Sequence, residues 1–259
     1  MGYFSYRTYY SKIAGGDERK MKEKTFIDCQ KGTANCCKDN FIELTLDEFE
    51  RFYDKAPIGI GVKVYPHREE QYFFRYAGIY FYFSFGIIVN AGCIFLDGNK
   101  CSIYEDRPGM CQIFPVRGHD KKLKKFAADL DFCKECGQDC VNDIGEGFEF
   151  SYANRLSKPL EDKAKKVFRK LKKDKVILNK QVFKSLYDHL KGNYPKELMS
   201  ILLEAVSAYR GKEDLWLSPI DPHIYFLIED FLKKRNLDAE RFYEAQLKFL
   251  TEMGTIKKL

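Results

Sequence analysis

Nine cysteines, all between Cys29 and Cys140, are the residues of this 259-residue chain whose type and spacing could do chemistry. They fall in three groups: Cys29 with Cys36 and Cys37, Cys93 with Cys101 and Cys111, and Cys133 with Cys136 and Cys140. Thiolates are soft donors. At spacings as short as Cys36–Cys37 or Cys133-x-x-Cys136 they can reach one ion or cluster. A disulfide framework is the competing reading. The start, Met1-Gly2-Tyr3-Phe4-Ser5-Tyr6-Arg7, has no apolar signal-peptide core, and a cytoplasmic location is expected. Disulfides are rare there, and nine is an odd number. Metal binding is the expected use of the set.

The central group reads Cys93-Ile94-Phe95-Leu96-Asp97-Gly98-Asn99-Lys100-Cys101-Ser102-Ile103-Tyr104-Glu105-Asp106-Arg107-Pro108-Gly109-Met110-Cys111-Gln112-Ile113-Phe114-Pro115. Its thiols are expected on a turn at Asp97-Gly98, a strand-like Ser102-Ile103-Tyr104 and a Pro-marked loop. The segment resembles the YkgJ-type cysteine-cluster proteins, whose pattern is Cys-x-Phe-Leu, then Cys-x-Ile-Tyr-x-x-Arg-Pro-x-x-Cys-Arg-x-Phe-Pro. Cys93, Phe95, Leu96, Cys101, Ile103, Tyr104, Arg107, Pro108, Cys111, Phe114 and Pro115 match, and Gln112 replaces an arginine. The family's N-terminal mark, Cys-x-x-Cys-x-x-Cys-Cys, is similar to Cys29 followed by Cys36-Cys37, with one thiol missing. Its single later cysteine is expanded here to Cys133, Cys136 and Cys140, so Cys136 or Cys140 is a candidate for the missing ligand.

The resemblance implies chelation of zinc or iron, in some members within an iron–sulfur cluster. All-thiolate sites suit both. Zinc ligands usually come as two tidy pairs, whereas these lie in three groups with irregular gaps and one adjacent pair. That spread favours an iron–sulfur cluster, with Zn²⁺ as the alternative. Arg107 is the candidate cofactor-binding residue beside the thiols, able to hydrogen-bond a cluster sulfur or to tie down its Arg-Pro turn. A related branch is associated with flagellin lysine N-methylation, and Cys29-x6-Cys36-Cys37 resembles that branch's longer spacing. A redox or protein-modification enzyme is therefore one expected function; a non-catalytic structural zinc or interaction module is the other. His119 reads as a surface loop residue rather than a ligand, and no phosphate loop, Rossmann fingerprint or Ser-His-Asp set is visible.

The elements around the thiols point to an α+β protein. Charged residues make up 32% and apolar ones 45%, a globular composition. Leu44-Thr45-x-x-Glu48-Phe49 combines a capping box with a hydrophobic staple and predicts a helix to about Asp54. Aromatic and β-branched residues from Val62 to Val89 predict two paired strands turning at Gly78. After Phe150 the apolar positions recur at helical spacing: Leu160, Ala164, Val167, Phe168 and Leu171, then Val182, Phe183, Leu186, Tyr187 and Leu190. Further helices are expected from Pro195 to about Gly211, from Asp221-Pro222, and from Asp238. This divides the chain into a cysteine-cluster domain over 1–150, with a short β-sheet, and an α-helical domain over 151–259.

Partners are constrained less. The longest apolar run, Ile79 to Val89, is too short to cross a bilayer as a helix, so no membrane is expected. The lysines between Lys158 and Lys175 alternate with an apolar stripe as on a solvated helix face, and nucleic acid is not expected. A protein partner on the helical part is the remaining expectation.

Overall fold

A computed structural model describes residues 37–38, 40–65, 74–76, 78–89, 92–114, 116–120, 125–128, 151–152, 158–184, 196–211 and 215–254. Its largest sheet is antiparallel. β1 (Asn40–Glu43) and β3 (Phe74–Tyr76) lie along one edge of β4 (Ile79–Val89), and β2 (Ile58–Tyr65) along the other. The β3–β4 hairpin turns at Gly78, whose φ of +80° is open to glycine at no steric cost. Two smaller sheets pair β5 (Leu96–Asp97) with β6 (Lys100–Cys101), and β7 (Val116–Asp120) with β8 (Lys125–Ala128) and β9 (Ser151–Tyr152).

Alternation sends Ile58, Ile60, Val62 and Val64 to one face, opposite Ile87, Phe85, Phe83 and Phe81. All eight are buried. On this face lies α1 (Leu46–Phe52), which starts as expected: the Thr45 hydroxyl accepts the Glu48 N–H and the Glu48 carboxylate accepts the Thr45 N–H. The helix ends two residues short of Asp54, in a turn that leads into Pro57. Phe49 is fully buried and stacks on Phe85 at 4.2 Å.

The helical part packs on the same core. α3 (Lys158–Leu178) continues as a π-helical turn, Asn179–Lys184, so of the second apolar repeat Val182 is described and buried, while Leu186, Tyr187 and Leu190 lie outside the described residues. α4 (Lys196–Gly211), α5 (Pro222–Lys234) and α6 (Ala239–Glu252) follow, the last capped by the Asp238 side chain. Between α4 and α5 a strand that the sequence reading missed, β10 (Leu215–Leu217), joins the sheet beside β2. One apolar cluster takes Phe49, Phe83 and Phe85 from the first part and Leu178, Leu202, Ile228, Phe231 and Phe242 from the second. The apolar core thus draws on residues from both sides of residue 150.

On the opposite sheet face Gly59 pairs with Gly86 and Gly61 with Ser84, and the Phe41 ring lies over these glycines. A Cβ at Gly86 would come 2.4 Å from the ring and 2.9 Å from the Ile42 carbonyl oxygen. Gly86→Ala is accordingly expected to destabilise the protein by about 1–3 kcal/mol through overpacking. In a urea-unfolding double-mutant cycle, Phe41→Ala should return at least about 1 kcal/mol of coupling energy. Strict additivity would show that the ring is not what excludes a side chain there.

Candidate metal centre

The described cysteines are Cys37, Cys93, Cys101 and Cys111; Cys29, Cys36, Cys133, Cys136 and Cys140 lie outside the described residues. All four are half-buried thiols outside any disulfide. Cys93 and Cys101 come together through a short ladder. Leu96 donates its N–H to the Cys93 carbonyl at 3.0 Å, and the Ser102 N–H and hydroxyl reach the Phe95 carbonyl at 2.8 and 2.9 Å. Gly98, at φ +60°, turns the chain so that β5 pairs with β6 and Cys101 faces Leu96. The expected turn at Asp97-Gly98 is present. The strand-like Ser102-Ile103-Tyr104 is instead a turn, closed by the Asp106 N–H on the Ile103 carbonyl at 2.9 Å; pairing ends at Cys101 because Leu96, its partner, is near the start of so short a ladder.

Burial pushes the Cys93 thiol up, the Phe95 N–H donating to its sulfur opposes this, and the negative field of Cys101 adds to the rise. A neutral thiol at pH 7 gives up its proton when a metal ion replaces it, and an N–H aimed at the sulfur then stabilises the thiolate.

Cys111 is presented differently, by the short helix α2 (Gly109–Gln112). Gly109 donates its N–H to Glu48 Oε1 at 2.6 Å, and the Gln112 side chain donates to the Arg107 carbonyl at 2.6 Å. Gln112, which stands where the pattern has arginine, is thus used inside the turn. A Cβ at Gly109 would sit 3.0 Å from Val167 Cγ2 and 3.1 Å from Glu48 Oε1, so a larger residue would require these side chains to give by a few tenths of an ångström. Ile113 follows and is fully buried with Val116, Leu160 and Ala164, which makes α3 a wall of the Cys111 turn. α2 also lies against β1, and Cys37 lies three positions before the start of that strand.

Arg107 lies over the Tyr104 ring at 3.7 Å and donates from Nη1 to the Tyr104 carbonyl. It therefore ties down the turn, and Tyr104 is a packed aromatic. Its Nε is buried without a partner among the described residues. His119 falls in β7, opposite Phe126, and not in a loop. Among the described residues no three His, Cys, Asp or Glu side chains converge to hold an ion. Of the described thiols, Cys93 and Cys101 belong to the β5–β6 ladder and influence each other electrostatically, Cys111 lies on α2, and Cys37 lies ahead of β1.

Sequence reasoning missed the residues that fix this frame. Asp174 Oδ2 accepts the Leu46 N–H at 2.8 Å at the start of α1, and Asn179 and Gln246 bond the sheet and its connection from inside the core. Each lies in a buried stripe of its helix, as Gln246 does between Phe242 and Leu250. A polar residue at the centre of an apolar stripe was the available signal. Among the described residues no helix is long and apolar enough to cross a membrane.

No curated protein and no solved structure matches the chain. Residues 28–134 match the family CxxCxxCC, described as "Putative zinc- or iron-chelating domain". The matched stretch contains Cys29, Cys36, Cys37, Cys93, Cys101, Cys111 and Cys133 and stops before Cys136 and Cys140. The match supports metal binding by this part of the chain, behind whose Cys111 turn α3 packs through Leu160 and Ala164.

Proposed function

We propose that the cysteine set holds an iron–sulfur cluster that serves redox or protein-modification chemistry in the cytoplasm. The observation that carries this reading is the donor set: thiols from separate, irregularly spaced elements, one of them accepting a backbone N–H at sulfur. Hydrogen bonds to sulfur are a main means by which proteins tune such clusters. When bound, the cluster would supply one-electron chemistry. Cys93 and Cys101 would bind from the β5–β6 ladder, Cys111 from α2 and Cys37 from the approach to β1. Cys29, Cys36, Cys133, Cys136 and Cys140 would complete the set. Arg107 would hold the turn through Nη1 and offer Nε to a ligand sulfur.

Metal and acid-labile sulfide analysis of anaerobically purified protein tests this. Iron with comparable sulfide and a broad visible absorption is expected. Stoichiometric zinc in a colourless, sulfide-free sample would overturn the cluster and leave the structural zinc or interaction module. Lysine N-methylation is the concrete enzymatic version of the proposal, motivated by the Cys29-x6-Cys36-Cys37 spacing. It fails if the protein transfers no methyl group from S-adenosylmethionine to any lysine-containing protein of its own cell extract.

A further inference from the structure

We infer that Glu48 is a positioning residue for the Cys111 thiol, linking that metal donor to the frame of helix α1. The inference rests on the reading of Cys111 as a ligand. A capping box uses one carboxylate oxygen of its glutamate, and the other ordinarily faces water. Here both are occupied by backbone. Oε2 accepts the Thr45 N–H at 2.8 Å, and Oε1 accepts the N–H of Gly109, 61 positions along the chain and two before Cys111, at 2.6 Å. A charged acceptor on an amide is among the stronger hydrogen bonds a protein makes.

The turn needs this support. α2 has four residues and cannot hold its own shape. Ile113 anchors the turn beyond Cys111 by full burial against Leu160 and Ala164. On the near side Gly109 sits closely between Glu48 and Val167. Glu48 in turn sits on a fixed element: Asp174 takes the Leu46 N–H, and Phe49 is buried on Phe85. The position of the Cys111 donor is therefore set by α1, a helix that contributes no ligand.

The test compares Glu48→Ala with Thr45→Ala in the full chain. Both break the capping box, but Thr45→Ala removes only the 3.4 Å bond from the Glu48 N–H to Thr45 Oγ1 and leaves Gly109 held. The readouts are zinc affinity by chelator competition and the rate of iodoacetamide alkylation at Cys111, mapped by mass spectrometry against Cys93. Loss of an outer-shell support typically costs about 10–100-fold in metal affinity, so Glu48→Ala should bind zinc at least about 10-fold more weakly than Thr45→Ala. It should also speed alkylation at Cys111 and not at Cys93. Glu48→Asp, whose shorter arm keeps the charge but withdraws from Gly109, should reproduce both effects if Glu48→Ala fails to fold. Equal affinities and equal Cys111 rates in the Glu48 and Thr45 variants would overturn the inference. If the wild-type protein binds neither zinc nor iron, the metal reading fails by itself. The Cys111-specific alkylation difference then decides whether Glu48 positions the thiol.

Discussion

Asn179→Leu is expected to destabilise the protein by about 2–6 kcal/mol, because it strands two buried backbone groups at about 1–3 kcal/mol each. The groups belong to Phe83, in the middle of β4. That strand pairs with β2 along one edge, but the other edge is covered in two pieces, by β3 as far as Phe81 and by β1 from Gly86. Phe85 is met in the gap by the Leu44 N–H at 2.8 Å. Phe83 is met by a side chain: Asn179 Oδ1 accepts its N–H at 2.9 Å and Asn179 Nδ2 donates to its carbonyl at 2.9 Å. The second amide hydrogen goes to the Lys175 carbonyl at 2.8 Å, so the amide is used from both ends. Asn179 is 3% exposed, and water cannot take its place. Leucine has the same branched shape and number of heavy atoms and is no smaller, so a cavity is not the source of the loss. Asn179→Asp separates hydrogen bonding from shape, since it keeps the acceptor for the Phe83 N–H but turns a second oxygen toward two carbonyls. Urea unfolding should find it nearly as harmful as Asn179→Leu. A loss below about 1 kcal/mol in both would show that the strand does not depend on this amide.

What the sequence made legible was local. The capping box at Thr45 and Glu48, the turns at Gly78 and Gly98 and the cap at Asp238 each depend on residues a few positions apart, and each is present. The cysteine motif was legible for the same reason, as a run of fixed spacings. Ser102–Tyr104 was misjudged because β-branched and aromatic residues were read as a strand where the ladder had no partner strand left to extend it. β10 was missed because three residues carry too little periodicity, and only pairing with Ile60–Val62 makes them a strand. Asn179, Asp174 and Gln246 belong to no local motif. Gln246 shows why: its carboxamide accepts the Ile58 N–H at 2.7 Å and donates to the carbonyls of Tyr53 and Ala56 at 2.8 and 3.0 Å. All three partners lie nearly two hundred positions away. The need for the amide is visible only when the buried backbone groups are. Glu48 belongs to both classes: its bond to Thr45 was readable in the sequence, and its bond to Gly109 was not.

Removing the metal should open the cysteine segment while leaving the main unfolding transition in place. In zinc-finger peptides the ion supplies essentially all of the folding energy, and chelation unfolds them outright. This chain differs in where its core lies. In the main cluster Phe49 makes ring contact with Phe85, Phe231 and Phe242, and among the described residues no cysteine is one of its buried members; Cys93 packs at its margin. The segment carrying Cys93 and Cys101 has only two residue pairs and a few turn hydrogen bonds, less than an isolated hairpin needs in water, and touches the core only at its margin through half-buried Phe95 and Ile103. Hydrogen exchange after chelation should therefore show at least about 100-fold loss of protection at the amides of Leu96 and Ser102, the signature of a local opening. The amides of Ile58 and Phe83, held by Gln246 and Asn179, should keep theirs. The opposite pattern, with protection lost across β2 and β4 in one cooperative step, would mean that the metal holds the whole fold. That result would move the protein to the structural-module reading, because a site whose loss dissolves the core cannot release or exchange its metal without unfolding the chain.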